Sequence, residues 1–217
     1  MIRRRMKAPD RRRQIMTVAQ KLFAQRGYSL TTTAAIAAAA GVTEPILYRH
    51  FDSKRDLFLQ LLEEISTKMI EQLHAVVAQS DEPTKQIELI IFNYPHVSER
   101  FAEPFVMIDR AMASLGSSTR RRDRDLPDVR PLLVSHYAAY EQLVASIVRT
   151  GQERGQFRKD VDPLVATWYL IDAAMAWRIS HNLGSEVFAR PHFIPNLAAL
   201  LLDGLLRKPA RPPAGQS

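Results

Sequence analysis

Between Gly27 and Leu57 the chain reads GYSLTTTAAIAAAAGVTEPILYRHFDSKRDL, two short helical stretches hinged at Gly41 and followed at once by a third. This segment restricts the fold more tightly than any other, because each of its boundaries carries a chemical mark. Thr31, Thr32 and Thr33 offer an N-cap to a helix whose apolar positions Ile36, Ala37 and Ala40 share one face. The alanines that follow Ile36 let a neighbouring helix approach closely. Gly41 supplies the left-handed residue that ends the helix, a conformation freely open only to a residue without Cβ. Thr43 is placed to cap the second helix, and Pro45 is tolerated there because first-turn N–H groups have no intrahelical acceptor. Leu47 and Phe51, four apart, anchor that helix to a core. Pro45 and Arg49 then lie nearly opposite Leu47, with Ile46 and Tyr48 on the flanks. Ser53 with Asp56 three residues on reads as the capping box of a third helix carrying Leu57, Phe58, Leu61 and Leu62.

A helix-turn-helix has this pattern, with the outward face of its second helix free to enter a DNA major groove. An ordinary helical hairpin capped by glycine reads the same way locally. Charge separates the two. Residues 1–54 hold 11 Lys and Arg against 3 Asp and Glu, whereas residues 55–217 hold 19 against 20. The first quarter therefore carries +8 and the remainder −1, which gives the net +7 of the chain. A basic N-terminal segment beside a neutral body is the footprint expected of phosphate-backbone binding.

The remaining composition bounds the possibilities. At 217 residues and 46% hydrophobic content, the chain has room for a second helical domain after a DNA module of about 55 residues. Cysteine is absent, which excludes disulfides and thiolate metal sites. The basic start is not followed by an apolar stretch of signal-peptide length, and there is no run of about 18 apolar residues. A soluble, cytoplasmic protein without membrane contact, metal or cofactor is expected.

The first helix is expected to be capped by Asp10, with Pro9 just outside, and to run to Arg26 with Ile15, Val18, Ala19, Leu22 and Phe23 at helical spacing. The helix opening at Ser53 should continue to about Gln79, where Ser80-Asp81-Glu82-Pro83 stops it. Beyond it the periodicity predicts helices around 84–93, 98–115, 128–152, 162–182 and 193–207, and no strand. Leu133, Tyr137, Tyr140, Val144 and Ile147 form a stripe at 4-3-4-3 spacing. Asp162-Pro163 is a cap followed by a first-turn proline. The helix after it is apolar on nearly every side, and the last helix, with Leu197, Leu201 and Leu205, is too apolar for a free surface. Both are expected to pack on the body with one side and on a second subunit with the other. The stretch from Lys208 to Ser217 reads as a disordered tail.

The residues Gly27-Tyr28, Thr31-Thr32, Ile36-Ala37, Ala40-Gly41-Val42, Leu47-Tyr48, Phe51 and Ser53-Lys54 resemble, with their spacing intact, the tetracycline-repressor (TetR) family of bacterial transcriptional regulators. The resemblance implies an all-α homodimer. Residues 1–55 would form a three-helix DNA-binding domain with a helix-turn-helix and a basic arm. Residues 56–207 would form a helical-bundle domain for ligand binding and dimerisation, and 208–217 the tail. It further implies a repressor of a palindromic double-stranded operator, released by a small apolar or aromatic effector.

By the same resemblance Tyr48, Lys54, His50 and the threonines Thr31, Thr32 and Thr33 contact phosphates, and Thr43, Glu44, Pro45 and Arg49 lie where bases are read. Pro45 stands where many members have Gly. Glu44 is acidic where a neutral or basic residue is common; it either accepts from cytosine N4 or serves the helix N-terminal dipole. Arg49 suits guanine O6 and N7, with phosphate clamping as the competing role. Arg3, Arg4, Arg5 and Lys7 form either a minor-groove arm or a solvated tail, while Arg11 to Arg13 open an ordered helix and suit phosphate.

For the ligand, Phe105, Met107, Met112, Tyr137, Tyr140, Trp168, Met175 and Trp177 are residues able either to wall a cavity or to fill a core. Asp172, inside the most apolar helix, reads as a buried acid, either a structural partner to an arginine or a polar anchor for ligand. The run from Arg120 to Asp125 reads as a solvated loop.

Two rival readings have distinguishing marks. Catalysis would need a constellation that is missing: there is no H-x-x-x-H pair among the six histidines, no G-x-S-x-G and no phosphate-cradling glycine loop. A DNA-binding dimer regulated by a protein partner, or acting architecturally, would keep the N-terminal module and lack a ligand cavity.

Overall fold

Ile15, Met16, Ala19, Leu22 and Phe23 are all buried on one side of helix α1 (Ala8–Arg26), and around this stripe the N-terminal helices assemble. The computed structural model describes residues 8–115, 127–184, 186 and 190–206. The basic arm before residue 8, the Arg120–Asp125 run and the tail after 206 lie outside them. The described residues are helical throughout, with α2 (Thr33–Ala39), α3 (Glu44–Tyr48), α4 (Lys54–Val77), α5 (Pro83–Arg100), α6 (Ala102–Leu115), α7 (Arg130–Glu153), α8 (Pro163–Asn182) and α9 (Phe193–Leu205). Extended pairing among them is limited to one isolated bridge between Phe157 and Leu206. The expected all-α class is observed.

Local chemistry sets most boundaries. Thr32 is the N-cap of α2, its hydroxyl accepting from Ala35 N at 3.1 Å. Gly41, at φ +64°, ends that helix in the left-handed conformation that alanine would resist. Ser53 Oγ accepts from Asp56 N at 3.0 Å, and Asp56 Oδ2 answers one residue earlier than a standard box, accepting from Asp52 N. Asp162 Oδ1 accepts from Leu164 N at 2.7 Å and from Val165 N at 3.3 Å, with Pro163 in the first turn of α8.

Two expectations are corrected. Asp10 does not cap α1 but lies in its first turn behind Ala8 and Pro9, because Pro9 fits the first turn without an N–H to satisfy. Nor does α5 stop before Pro95; it continues through the proline to Arg100, at the cost of the hydrogen bond that an N–H at 95 would give Ile91 O.

Packing divides the chain into two compact units, the described residues of Met1–Met69 with Arg100–His136, and those of Ile70–Glu99 with Tyr137–Ser217. The first unit contains α1, α2, α3 and α6 with the first part of α4. Its core joins Ile15, Phe23, Ile36, Leu47, Phe51 and Leu62, and an aromatic cluster in which Phe58 meets Phe23 edge-on at 5.0 Å and Tyr28 at 4.9 Å. Gln20 Nε2 donates to Glu103 Oε2 at 3.0 Å between α1 and α6.

The second unit is a bundle of the end of α4, α5, the greater part of α7, α8 and α9 around Ile87, Val144, Val148, Phe157, Leu170 and Leu201. The α7 stripe noted in the sequence is shared out: Leu133 belongs to the first core, Val144 and Ile147 to the second, and Tyr140 packs against the second.

Candidate nucleic-acid interface and ligand cavity

Leu47 is fully buried, and this fixes the orientation of α3. The opposite side of the helix is therefore outward, with Thr43, Pro45, Tyr48 and Arg49 exposed, Glu44 and Ile46 half-buried, and Phe51 1% exposed as the second anchor. Burying Leu47 and Phe51 is worth about 1.5–3 kcal/mol each, enough to hold so short a helix against the core. Thr43 occupies the N-cap position with no side-chain capping bond. Among the described residues Arg49 makes no ion pair. Thr32, beside α3's partner helix, is exposed as well.

A hydrogen-bond chain crosses between the two helices. Tyr48 Oη donates to Thr33 Oγ1 at 3.2 Å, and Thr33 Oγ1 donates in turn to Glu44 Oε1 at 2.6 Å. Glu44 thereby closes the first turn of α3 onto the first turn of α2, and its charge sits at a helix N-terminus, where it is favoured. Approach of a phosphate oxygen to Tyr48 would exchange one acceptor for another without stripping a free hydroxyl of water. Because Oε1 is engaged by Thr33, replacing Glu44 by Gln, which keeps an acceptor and loses the charge, is expected to tighten binding to operator and random DNA alike. The gain should be a few-fold at low salt and fade as salt rises. Anisotropy titrations on both DNAs check this; a change confined to one base pair of the operator would instead make Glu44 a base reader.

Three residues stand differently from the sequence expectation. Thr31 is completely buried, its hydroxyl donating to Gly27 O at 2.7 Å and lying 3.2 Å from Leu22 O, so it closes the end of α1 and has no face toward solvent. Arg12 is drawn inward, its guanidinium 5.3 Å from the Phe51 ring centroid and bonded to Gln60, which leaves Arg13 as the exposed cation of that turn. Lys54 Nζ donates to Tyr28 O at 3.1 Å and rests 4.2 Å from the centroid of the Tyr28 ring, tying the start of α4 to the turn after α1. An ammonium has three protons to donate, so this tie does not exhaust it. His50 is half-buried and tilted against Phe51. Arg55, exposed one residue after Lys54, was not singled out from the sequence; its signal is the cation excess of the segment.

The second unit contains a small apolar cavity, partly open to solvent, among α5, α7, α8 and α9. Of the residues expected at a ligand site, Tyr140 and Trp177 line it. Burial first, and the neighbouring Tyr94 phenol second, raise the Tyr140 pKa, so this hydroxyl stays neutral. Tyr94 also lines the cavity and meets Trp177 edge-on at 5.6 Å; its register with Ile90, four residues earlier, is the signal that sequence reading passed over. The others are elsewhere. Phe105 and Met112 belong to the first unit, Met112 packed against its core. Trp168, 40% exposed, stacks on Tyr137 at 5.7 Å and donates to Glu141. Met175 is half-buried and not part of the lining. Asp172 is exposed and needs no buried partner, since it faces away from the core on the outer side of α8.

The apolar surplus of the last two helices also faces differently from expectation. Leu201 and Leu205 are 4% and 7% exposed inside the second core, and Leu197 packs on it and lines the cavity. The exposed row runs along the other side of α8, through Leu164, Val165, Tyr169, Ile179 and Leu183, with Leu200 exposed on α9. Among the described residues no helix is long and apolar enough to cross a membrane, and no cluster of metal-ligating side chains is found.

Comparison with known proteins agrees with this geometry. Residues 15–61, which span the helix-turn-helix, match the family described as bacterial regulatory proteins, tetR family. The HTH-type transcriptional repressor KstR2 of Rhodococcus jostii (strain RHA1) is 26% identical over 200 residues, 90% of this chain and 91% of its own. The HTH-type transcriptional regulator HbdR of Aromatoleum sp. (strain CIB) is 23% identical over 197 residues, 91% of this chain and 81% of its own. Among solved structures, a SmeT–triclosan complex superposes with a TM-score of 0.72 at 18% identity, covering 95% of this chain and 96% of that one. The last comparison speaks to the fold.

Proposed function

We propose that this chain, which belongs to the TetR family of transcriptional regulators, is a cytoplasmic repressor that binds a palindromic operator as a homodimer and is released by a small apolar or aromatic molecule. Residues 1–55 carry the DNA contacts and residues 56–207 carry ligand binding and dimerisation. The observation that bears most weight is the outer face of α3: Thr43, Pro45, Tyr48 and Arg49 are exposed opposite the buried Leu47, in a segment whose charge balance is strongly positive. Thr32, Thr33, Tyr48, His50 and Lys54 hold phosphates in this reading, and Arg49 reads a base.

Two heads related by a twofold axis engage half-sites about 34–36 Å apart, or a multiple of that spacing. The subunit contact uses the exposed row on α8, which is apolar enough to require cover. A repressor among the relatives and a triclosan complex among the similar structures lend support to repression and to ligand control. A ligand that releases the operator must itself be bound more weakly by the DNA-bound protein, since coupling between two sites is reciprocal.

Arg49→Ala is expected to relax preference at one base pair of each half-site, at a cost of about 1–3 kcal/mol per contact. Binding measured against a panel of single-base operator variants checks it. A uniform loss on all of them would assign Arg49 to phosphate.

A further inference from the structure

The cavity of the second unit allows the ligand class to be narrowed, an inference that rests on the ligand-responsive reading above. Ala173 and Ala174 precede Trp177 by four and three residues, on the side of α8 that looks into the bundle, so the turn beneath the indole contributes no bulk and space is left beside it. None of the described lining side chains is charged. An ion entering such a wall would lose its hydration and find no counter-charge in that lining.

The indole adds a directional requirement. Trp177 is 5% exposed, and its buried Nε1 has no hydrogen-bond acceptor among the described residues. That group donates and cannot accept, so the atom that satisfies it must be an acceptor. The ring is also held in place, with His181 stacked at 4.9 Å and 9° and Tyr94 edge-on at 84°. With His181 flat against it, one face of the indole is closed to a cation seeking an aromatic surface.

We propose that this cavity takes a small, neutral, mainly apolar molecule bearing an acceptor oxygen, such as a ketone, ester or ether, which Trp177 Nε1 engages by hydrogen bond.

Calorimetric titration of the full-length protein with four probes of similar size tests this: acetophenone, ethylbenzene, benzoate and benzyltrimethylammonium. Acetophenone is expected to bind about three- to tenfold tighter than ethylbenzene, the worth of one net hydrogen bond, and at least about tenfold tighter than either ion. Trp177→Phe keeps a ring and removes the N–H; it should bring acetophenone down to the level of ethylbenzene and leave ethylbenzene within about twofold. Should that variant fail to fold, indole 15N labelling of the unmodified protein gives the same answer. One of its two indole N–H signals should shift with acetophenone and stay in place with ethylbenzene.

Equal or tighter binding of ethylbenzene, tighter binding of either ion, no binding of any probe, or an unmoved indole signal would overturn the proposal. Operator affinity measured in the same samples separates the two readings. Operator release by a probe without the acetophenone preference spares ligand control and removes this ligand class. The acetophenone preference without any release retains the site and removes the regulation.

Discussion

Replacing Val165 and Ile179 together by glutamate is expected to turn the proposed dimer into a folded monomer and to weaken operator binding by about a hundredfold or more. These side chains are 65% and 51% exposed on the outer side of α8, so the substitutions leave the core untouched and cost little folding stability. In a twofold contact each charge would be buried against an apolar counterpart without a partner, and each substitution enters the contact twice. A head that has lost its linked partner also loses the effective concentration that the second half-site provides, worth about 10²–10⁴ in avidity. Light scattering and a thermal melt on the same sample check both halves. Leu201→Glu is the contrasting variant: at 4% exposure it places charge in the core of the second unit and should unfold it. A dimer that survives the α8 substitutions would put the subunit contact elsewhere.

The second large effect is on stability. After α7 the chain folds back so closely that Gln156 N and Phe157 N both donate to Gly151 O, at 2.9 and 3.0 Å. The Phe157 ring lies where a side chain on Gly151 would be: an added Cβ would stand 2.2 Å from its Cδ2. Phe157 is 1% exposed and belongs to the second core, so the ring has no open direction in which to retreat. Gly151→Ala is therefore expected to cost about 1–3 kcal/mol of overpacking, which for a chain of this size is a fall in Tm of roughly 2–12 °C. Shortening the ring as well, in the double variant with Phe157→Leu, should cost less than the sum of the two single changes. Calorimetry on the four proteins measures that coupling, and strict additivity would mean that the clash is relieved by backbone movement.

The parts of this fold that were legible in the sequence are those set by neighbours along the chain. Gly41, Thr32, the Ser53–Asp56 box and Asp162 act within a turn of their own positions, and Leu47 with Phe51 fixed the outward face of α3 through spacing alone. The parts that were not legible depend on phase or on distant partners. In α9 the residues Leu197, Leu200, Leu201, Leu202 and Leu205 surround the axis, so periodicity does not say which leucine faces the core. The structure turns Leu201 and Leu205 inward and Leu200 outward. For the same reason Asp172, read among apolar neighbours as a buried acid, proved exposed. Thr31 needed the end of α1, and Arg12 needed both Phe51 and Gln60, before either could be seen as an internal tie rather than a surface contact. Tyr94 met Trp177 only once α5 and α8 were packed together.

Sequence-specific DNA binding by a twofold pair of heads underlies every functional role proposed above. Its most direct measurement is selection of bound fragments from a random DNA pool by the full-length protein, followed by affinity of the enriched fragment across salt concentrations. An inverted repeat with half-sites spaced by one helical turn or a multiple is expected, with a steep fall of log K with log salt that reflects several phosphate contacts. Failure to enrich any sequence, or enrichment of a single unrepeated half-site bound by one chain, would contradict it.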